Sequence, residues 1–342
     1  MQKLRFPQRS GGTINKNESC LDRGARRPSS SGLPLARLIP AVRGVLITAL
    51  VALAACGGEG PVPATPDAEE DRPRNAEQIA VALVQGRISA RIFVDRLRDH
   101  PVGPKLLKLG PVPDLLEGSK LEPLRDIQRA VIVSNNAKEE RAIVFAEHSV
   151  PSDQIPALVA ELAEKSEPKG QVVEGPPNWT VKVSKKGRDG IVCFVPPRFV
   201  VILPMDLADK CDAFSETGGL VGPLADEAAT IAVAQPAESL RARGVPPIPA
   251  TVTGLNTTIV LTKDGGATVD TVGQSSKESA TEDAAILTKG LDEATSVNLG
   301  FVRIRAFGPV VFRPEEDKVK SKLNLTSAEL DQILSIADSM ID

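Results

Sequence analysis

The chain of 342 residues has no tyrosine, one tryptophan and nine phenylalanines. Sites that bind sugars or nucleic-acid bases usually stack them on aromatic side chains, so this scarcity argues against both ligand classes. Histidine is equally rare, since the chain contains only His100 and His148. Neither lies at the short spacing from cysteine or histidine that zinc sites use. The sequence therefore predicts no metal site and no bound cofactor.

Motifs that carry enzymatic chemistry are also missing. A serine hydrolase of the α/β type needs a nucleophile turn of the form G-x-S-x-G, which does not occur in this sequence. His148 and Ser149 follow an apolar strand pattern, and we expect them at the protein surface where that strand ends. His100 precedes Pro101, and we expect it in an exposed turn. We predict no catalytic residue.

Apolar runs long enough to span a membrane, which takes about 20 residues, are absent as well. The run from Gly44 to Ala55 has 12 residues and fits the apolar core of a signal peptide. Arg37 and Arg43 precede it and supply the positive charge that such a signal carries. Cys56 follows it directly.

The residues Leu53-Ala54-Ala55-Cys56, followed by Gly57, resemble the lipobox of bacterial lipoproteins. This resemblance implies cleavage before Cys56 and attachment of a diacylglyceryl group to its thiol, so that membrane lipid holds the N-terminus. Glycine rather than aspartate after the cysteine implies sorting to the outer membrane, facing the periplasm or the cell surface.

By the same resemblance, residues 1–55 are a signal peptide with an over-long N-terminal extension. Two explanations of the extension stay open. Translation starts later, near Leu35, Leu38 or Val42, or Arg26-Arg27 is a twin-arginine export signal. In both cases these residues are not part of the folded protein.

Removal of the signal peptide leaves an acidic protein. Residues 1–55 hold nine of the 41 basic and two of the 44 acidic residues, which leaves 32 and 42 and a net charge of −10. An acidic surface disfavours nucleic acid as a partner. Residues 56–77 are rich in proline, glycine and acid and have few large apolar residues. We predict that they form a disordered tether.

Beyond the tether, strand and helix patterns alternate, and the sequence predicts an α+β fold with antiparallel-rich sheets. A break rich in glycine and proline separates two segments, 78–217 and 223–342. The predicted strands are 87–94, 127–134, 141–147, 179–183, 190–195, 198–203, 228–234, 251–262, 267–272, 310–313 and 318–325. The predicted helices are 153–165, 206–214, 237–243, 281–294 and 327–340.

The order of these elements repeats along the chain. Residues 130–133 match 258–261 at an offset of 128, and residues 191–195 match 319–323 at the same offset. We interpret the repeat as an internal duplication that gives two similar halves, each a sheet with helices packed on one face.

The duplication predicts which helices are equivalent. Helix 153–165 should occupy the position of 281–294, and helix 206–214 the position of 327–340. A ligand or partner is then expected in the groove between the halves, because binding sites favour domain interfaces.

Cys193 lies in a strand pattern, and Cys211 lies in the helix pattern that follows the next strand. An exported protein meets an oxidising compartment, in which these two cysteines can form a disulfide. The alternative is a pair of reduced thiols that pack as small apolar side chains. The sequence leaves both interpretations open.

Together these features favour a membrane-anchored envelope lipoprotein that is not an enzyme. It would act through contact with an unidentified envelope protein or as a structural component. A periplasmic carrier of an apolar small ligand, bound between sheet and helices, is the alternative. An enzyme of an unrecognised type is the third hypothesis.

Overall fold

The computed structural model describes residues 75–106, 120–137, 141–175, 177–185, 188–241, 246–298, 303–305 and 307–341. The predicted signal peptide, the predicted lipidation site Cys56 and most of the predicted tether lie outside these residues. Within them, no helix combines the length and apolar character that crossing a membrane requires.

Helices in the described residues are mostly short, and we label the four longest α-helices. They are α1 (Ala76–Val84), α2 (Ile155–Lys165), α3 (Ala280–Ala294) and α4 (Ser327–Ile341). A 3-10 helix covers Met205–Phe214. Single helical turns cover Val94–Leu97, Gly103–Leu106, Pro123–Asp126 and Pro236–Ser239.

Strands account for most of the remaining described residues. In chain order they are β1 (Ile88–Phe93), β2 (Ile127–Ser134), β3 (Ala142–His148), β4 (Gln171–Glu174), β5 (Trp179–Lys185), β6 (Arg188–Val195), β7 (Phe199–Leu203), β8 (Glu227–Ala234), β9 (Gly254–Leu261), β10 (Ala267–Gln274), β11 (Ser296–Asn298), β12 (Arg303–Arg305), β13 (Arg313–Glu315) and β14 (Lys318–Leu325).

Twelve of the described strands form one antiparallel sheet, in the order β13-β14-β10-β9-β8-β1-β2-β3-β7-β6-β5-β4. This confirms the predicted α+β class and the predominance of antiparallel pairing. Strands β1 and β8 pair directly, with Ala90 opposite Ile231. The sheet is therefore continuous between segments 78–217 and 223–342, which are joined edge to edge by this strand pair. The groove predicted between the halves stays a prediction.

One face of the sheet, called the front face here, is apolar from β3 to β14. Residues opposite each other on neighbouring antiparallel strands point to the same face. One such row consists of Ala146, Ala130, Ile92, Ala229, Ile259, Val269 and Leu323. Helix α2 packs on this face against β4 and β5 and shares a core cluster with β6 and β7, while α3 and α4 pack on it against β10 and β14.

The opposite face, called the back face, changes character along the sheet. The adjacent row of opposite residues points to this back face and consists of Phe145, Val131, Arg91, Thr230, Thr258, Asp270 and Lys322. Its apolar end is covered by α1 and the 3-10 helix, which share a core cluster with β2, β3, β6 and β7. Its polar end faces solvent on β10 and β14.

The prediction of helices on one face is thus wrong for the first segment, where they cover both faces. Strands β3, β6 and β7 are buried on both sides, and all five residues of β7 are buried. The predicted equivalence of helices 206–214 and 327–340 is also wrong. The first is the 3-10 helix on the back face, and the second is α4 on the front face.

Helix α1 was not predicted, and it shortens the expected tether. It starts at Ala76 because Asn75 caps it: the Asn75 side chain accepts a hydrogen bond from the Gln78 backbone N–H at 2.9 Å. The Gln78 side chain in turn accepts one from the Asn75 N–H at 3.1 Å, which completes a capping box. Residues 76 and 77 are therefore helical, although the predicted tether extends to residue 77.

Candidate functional site: a groove beside α2

The hairpin of β2 and β3 brings together two segments that are more than 20 residues apart in the chain. Ile127 lies opposite His148 in this hairpin. The residues just outside the pair, Asp126 and Ser149, are therefore neighbours. The Ser149 N–H donates to the Asp126 carbonyl oxygen at 2.7 Å. This contact fixes the Pro123–Asp126 turn against the start of the chain that leads into α2.

A groove of about 610 Å³ lies between this turn and α2. Its volume falls within the range of about 300–1,000 Å³ that is usual for small-molecule sites. Its lining residues are Lys120, Leu121, Glu122, Arg125, Asp126, Ser149, Val150, Pro151, Gln154, Ala157 and Leu158. Leu121 and Leu158 belong to the core on the front face, so the groove reaches down to that core.

Asp126 is the most enclosed charged group of the groove, with 7% of its surface exposed. Arg125 donates to it from Nε at 2.6 Å and from Nη2 at 2.7 Å, and the Glu122 N–H donates at 2.8 Å. Burial by itself raises the pKa of Asp126, but these hydrogen bonds and the Arg125 charge outweigh burial and hold the pKa below its ordinary value. Asp126 is therefore ionised, and both of its carboxylate oxygens accept hydrogen bonds.

His148 lies next to the groove, and its position corrects the prediction. It was expected at the surface, but it is completely buried. The His148 and Phe194 rings pack in a T-shaped arrangement, with their centroids 5.8 Å apart. Neither ring nitrogen has a hydrogen-bond partner among the described residues. Burial lowers the pKa of His148, and nearby backbone groups of Phe199 and Val150 oppose this only in part.

Ser149 and His100 do not form a catalytic arrangement with His148. The Ser149 hydroxyl donates to the Asp126 carbonyl at 3.3 Å rather than to the imidazole. His100 belongs to the first segment but contacts the second, because its Nε2 lies 3.3 Å from the Thr262 carbonyl oxygen. His100 Nδ1 accepts from the Val102 N–H at 3.2 Å. The two histidines thus contact different parts of the sheet.

Cys193 on β6 and Cys211 in the 3-10 helix are joined by a disulfide in this structure, and their Cα atoms lie 6.1 Å apart. Both residues are buried in the core on the back face. The Thr180 hydroxyl lies 3.7 Å from Cys211 Sγ. The cysteines lie on the back face of the sheet, whereas α2 and the groove beside it lie on the front face.

Several residues of the site were not singled out from the sequence. Arg125 and Asp126 immediately precede the predicted strand 127–134, and Ser149 follows the predicted strand 141–147. An antiparallel pair places the start of its first strand beside the end of its second, so pairing of these two consecutive predicted strands brings the positions together. Glu147 is also buried, and its Oε2 lies 2.7 Å from Arg129 Nη2. No comparable pattern in the sequence indicated this burial.

No family model and no curated protein matches this chain. A solved structure of TP0453 in crystal form I matches with a TM-score of 0.43 and 8% sequence identity. The match covers 75% of this chain and 94% of the TP0453 chain.

Proposed function

We propose that this protein is an envelope lipoprotein, anchored to the outer membrane through an acylated Cys56 and acting without catalysis. The observation that carries the proposal is the lipobox-like Leu53-Ala54-Ala55-Cys56 at the end of a 12-residue apolar run. In this proposal the folded part works through contact with another envelope protein, or as a structural component, on the periplasmic side or the cell surface.

The chain between the anchor and the fold has a defined length in this proposal. Nineteen residues, 57–75, separate Cys56 from the first residue of α1. At about 3.3–3.6 Å per residue, a fully extended chain of that length reaches roughly 65 Å. Such a tether would let the sheet meet partners at some distance from the membrane surface.

Fractionation of cells tests the anchor. We expect Cys56→Ser to leave the membrane fraction or to accumulate as uncleaved precursor, because attached acyl chains stabilise membrane binding by about 0.8 kcal/mol per buried CH₂. Cys20→Ser is the matched control and should fractionate as the wild type does. Crosslinking in intact cells, followed by purification, should capture a partner with the wild type more efficiently than with Cys56→Ser.

A second function has its own supporting observation. The groove beside α2 has a volume suited to a small molecule and an apolar floor formed by Leu121 and Leu158. This favours the alternative in which the protein carries an apolar ligand in the periplasm. The two functions are compatible, because the anchor and the groove belong to different parts of the chain.

We also propose that the two segments arose by duplication. Supporting observations are the pairing order β1-β2-β3-β7 on one side of the β1–β8 pair and β8-β9-β10-β14 on the other. Helices α2 and α3 each follow the third strand of their set and share the front face. The opposite placement of the 3-10 helix and α4 means that any duplication was followed by divergence after the fourth strand.

An experimental structure tests the duplication. Superposing β1, β2, β3 and α2 on β8, β9, β10 and α3 should match both the strand directions and the helix position. A mismatch in either would contradict the duplication.

A further inference from the structure

The groove beside α2 has one apolar wall. Ala157 lies on the exposed side of α2 and Leu158 in the core beneath it. Val150 and Pro151 add apolar groups to the lining, and Leu121 forms part of the apolar floor. Such a surface gains about 25 cal/mol for each Å² of apolar area that a ligand removes from water.

The charged groups on the other wall are already paired with each other. Arg125 holds Asp126 with two nitrogens and contacts Glu122 Oε1 at 2.8 Å. Its Nη2 also donates to the Lys120 carbonyl oxygen at 3.0 Å. The lining contains two basic and two acidic residues, so their formal charges cancel.

Lys120 is the charge in this lining for which the described residues offer no ion-pair partner. Its side chain is exposed to solvent, where an ion pair with a ligand would contribute only about 0–1 kcal/mol. A charged ligand would therefore lose hydration on entering the groove without meeting an unpaired buried charge of opposite sign. The electrostatics favour a ligand without net charge.

Two polar side chains in the groove suit an uncharged ligand. The Ser149 hydroxyl donates to the Asp126 carbonyl and keeps its own lone pairs available as acceptors. The exposed Gln154 amide offers both a donor and an acceptor. A mostly apolar wall with a few neutral hydrogen-bonding groups is the usual make-up of a small-molecule site.

We infer that the groove beside α2 binds an uncharged, mainly apolar small molecule. This inference rests on the second proposed function, the carrier, and narrows its ligand to the uncharged class. The apolar body of the ligand would lie along Val150, Ala157 and Leu158, and its polar group would face Ser149 and Gln154.

A pair of fluorescent probes tests the ligand class. N-phenyl-1-naphthylamine is uncharged, and 1-anilinonaphthalene-8-sulfonate has the same ring framework with an added sulfonate. We expect the mature chain carrying Cys56→Ser to bind one equivalent of the uncharged probe saturably, and the anionic probe at least about tenfold more weakly. Equal or tighter binding of the anionic probe would overturn the inference about charge.

Two alanines on α2 provide a matched pair of variants for the location. Ala157 lines the groove, whereas Ala160 is exposed on the same helix and does not line it. Ala157→Trp should fill the groove and weaken binding of the uncharged probe by at least about tenfold, while Ala160→Trp should change it less than about twofold. Gln154→Trp, also at an exposed groove position, is a second blocking variant if Ala157→Trp does not fold.

The outcomes separate this inference from the function on which it rests. Saturable binding that neither Ala157→Trp nor Gln154→Trp weakens would place the ligand elsewhere, which overturns the groove but keeps the carrier. A wild-type protein that binds no uncharged probe saturably would contradict both. Circular dichroism and the thermal midpoint of each tryptophan variant should match those of Ala160→Trp.

Discussion

Glu77 on α1 lies against Arg91 in the middle of the sheet, with Glu77 Oε2 accepting from Arg91 Nε at 2.7 Å. Glu77 also accepts from the Ser89 hydroxyl. Helix α1 is the first described element after the proposed tether, and β1 is the strand that pairs with β8. This ion pair therefore connects the first described helix of the fold to the strand pair that joins its two segments.

The first prediction concerns this contact. Glu77→Ala should weaken the docking of α1 by about 1–3 kcal/mol, because it removes hydrogen bonds that involve two charged groups and leaves Arg91 half-buried without them. Amide hydrogen exchange within residues 76–84 should become faster. Glu282→Ala removes an exposed carboxylate from α3 and should change the free energy of unfolding by less than about 0.5 kcal/mol. Unchanged exchange in Glu77→Ala would show that the ion pair does not hold α1.

The second prediction concerns the disulfide. Residues 193 and 211 are 18 apart, and closing a loop of that size in the unfolded chain stabilises a protein by about 3 kcal/mol. We expect the mature Cys56→Ser protein, unfolded without reductant, to show no free thiol. Replacing both Cys193 and Cys211 with alanine should lower the free energy of unfolding by about that amount. Two titratable thiols in the unreduced protein would contradict the bridge.

The third prediction concerns pH. Because the pKa of His148 in the fold lies below its ordinary value of 6.5, the unfolded chain binds this proton more readily than the folded chain. The free energy of unfolding should therefore fall as pH drops below about 6.5, by at most ~1.4 kcal/mol per pH unit, until the folded protein also takes the proton.

Urea unfolding at pH 7.5 and pH 5.5 measures this effect. His148→Leu should lose less stability between the two pH values than the wild type, since leucine fills a similar volume and does not titrate. His100→Leu is the control, because both nitrogens of His100 have hydrogen-bond partners and this residue is only partly buried. A wild type and a His148→Leu variant with the same pH dependence would show that His148 does not contribute.

Local sequence signals predicted much of the fold. Strand β2 was predicted with the bounds that it has, because its apolar residues are flanked by clear turn and proline signals. The sequence Thr326-Ser-Ala-Glu329 has the spacing of a capping box, and the box forms at the start of α4, with the Thr326 N–H donating to Glu329 Oε2 at 2.9 Å. The Asp264-Gly265 turn joins β9 to β10, and Gly265 has the positive φ of 89° that such turns require.

The elements that the sequence analysis did not predict have physical explanations. Residues in β4 are all exposed, so this edge strand has no apolar pattern and depends on pairing with β5. Helix α1 had a capping box in Asn75 and Gln78, but the proline-rich composition before it obscured the signal. The helices on both faces of the first segment follow from strands such as β7, whose unbroken apolar run indicates burial on both sides.

The candidate site was predictable only in part. The hairpin of β2 and β3 implied that Asp126 and Ser149 meet, but its position relative to α2 depends on tertiary packing. The burial of His148 has the same origin, because Phe194 comes from β6 and reaches it only through the order of strands in the sheet. No local pattern around His148 distinguishes this position from an exposed strand end.

The anchor at Cys56 is the central claim, and the intact mass of the protein purified from membranes tests it most directly. We predict a chain that begins at Cys56 and carries a diacylglyceryl group on its thiol, with a further acyl chain on its amino group in bacteria that complete this processing. The mass should shift to an unlipidated or uncleaved form in Cys56→Ser and stay unchanged in Cys20→Ser. A wild-type chain that retains residues before Cys56, or that carries an unmodified Cys56, would contradict the account.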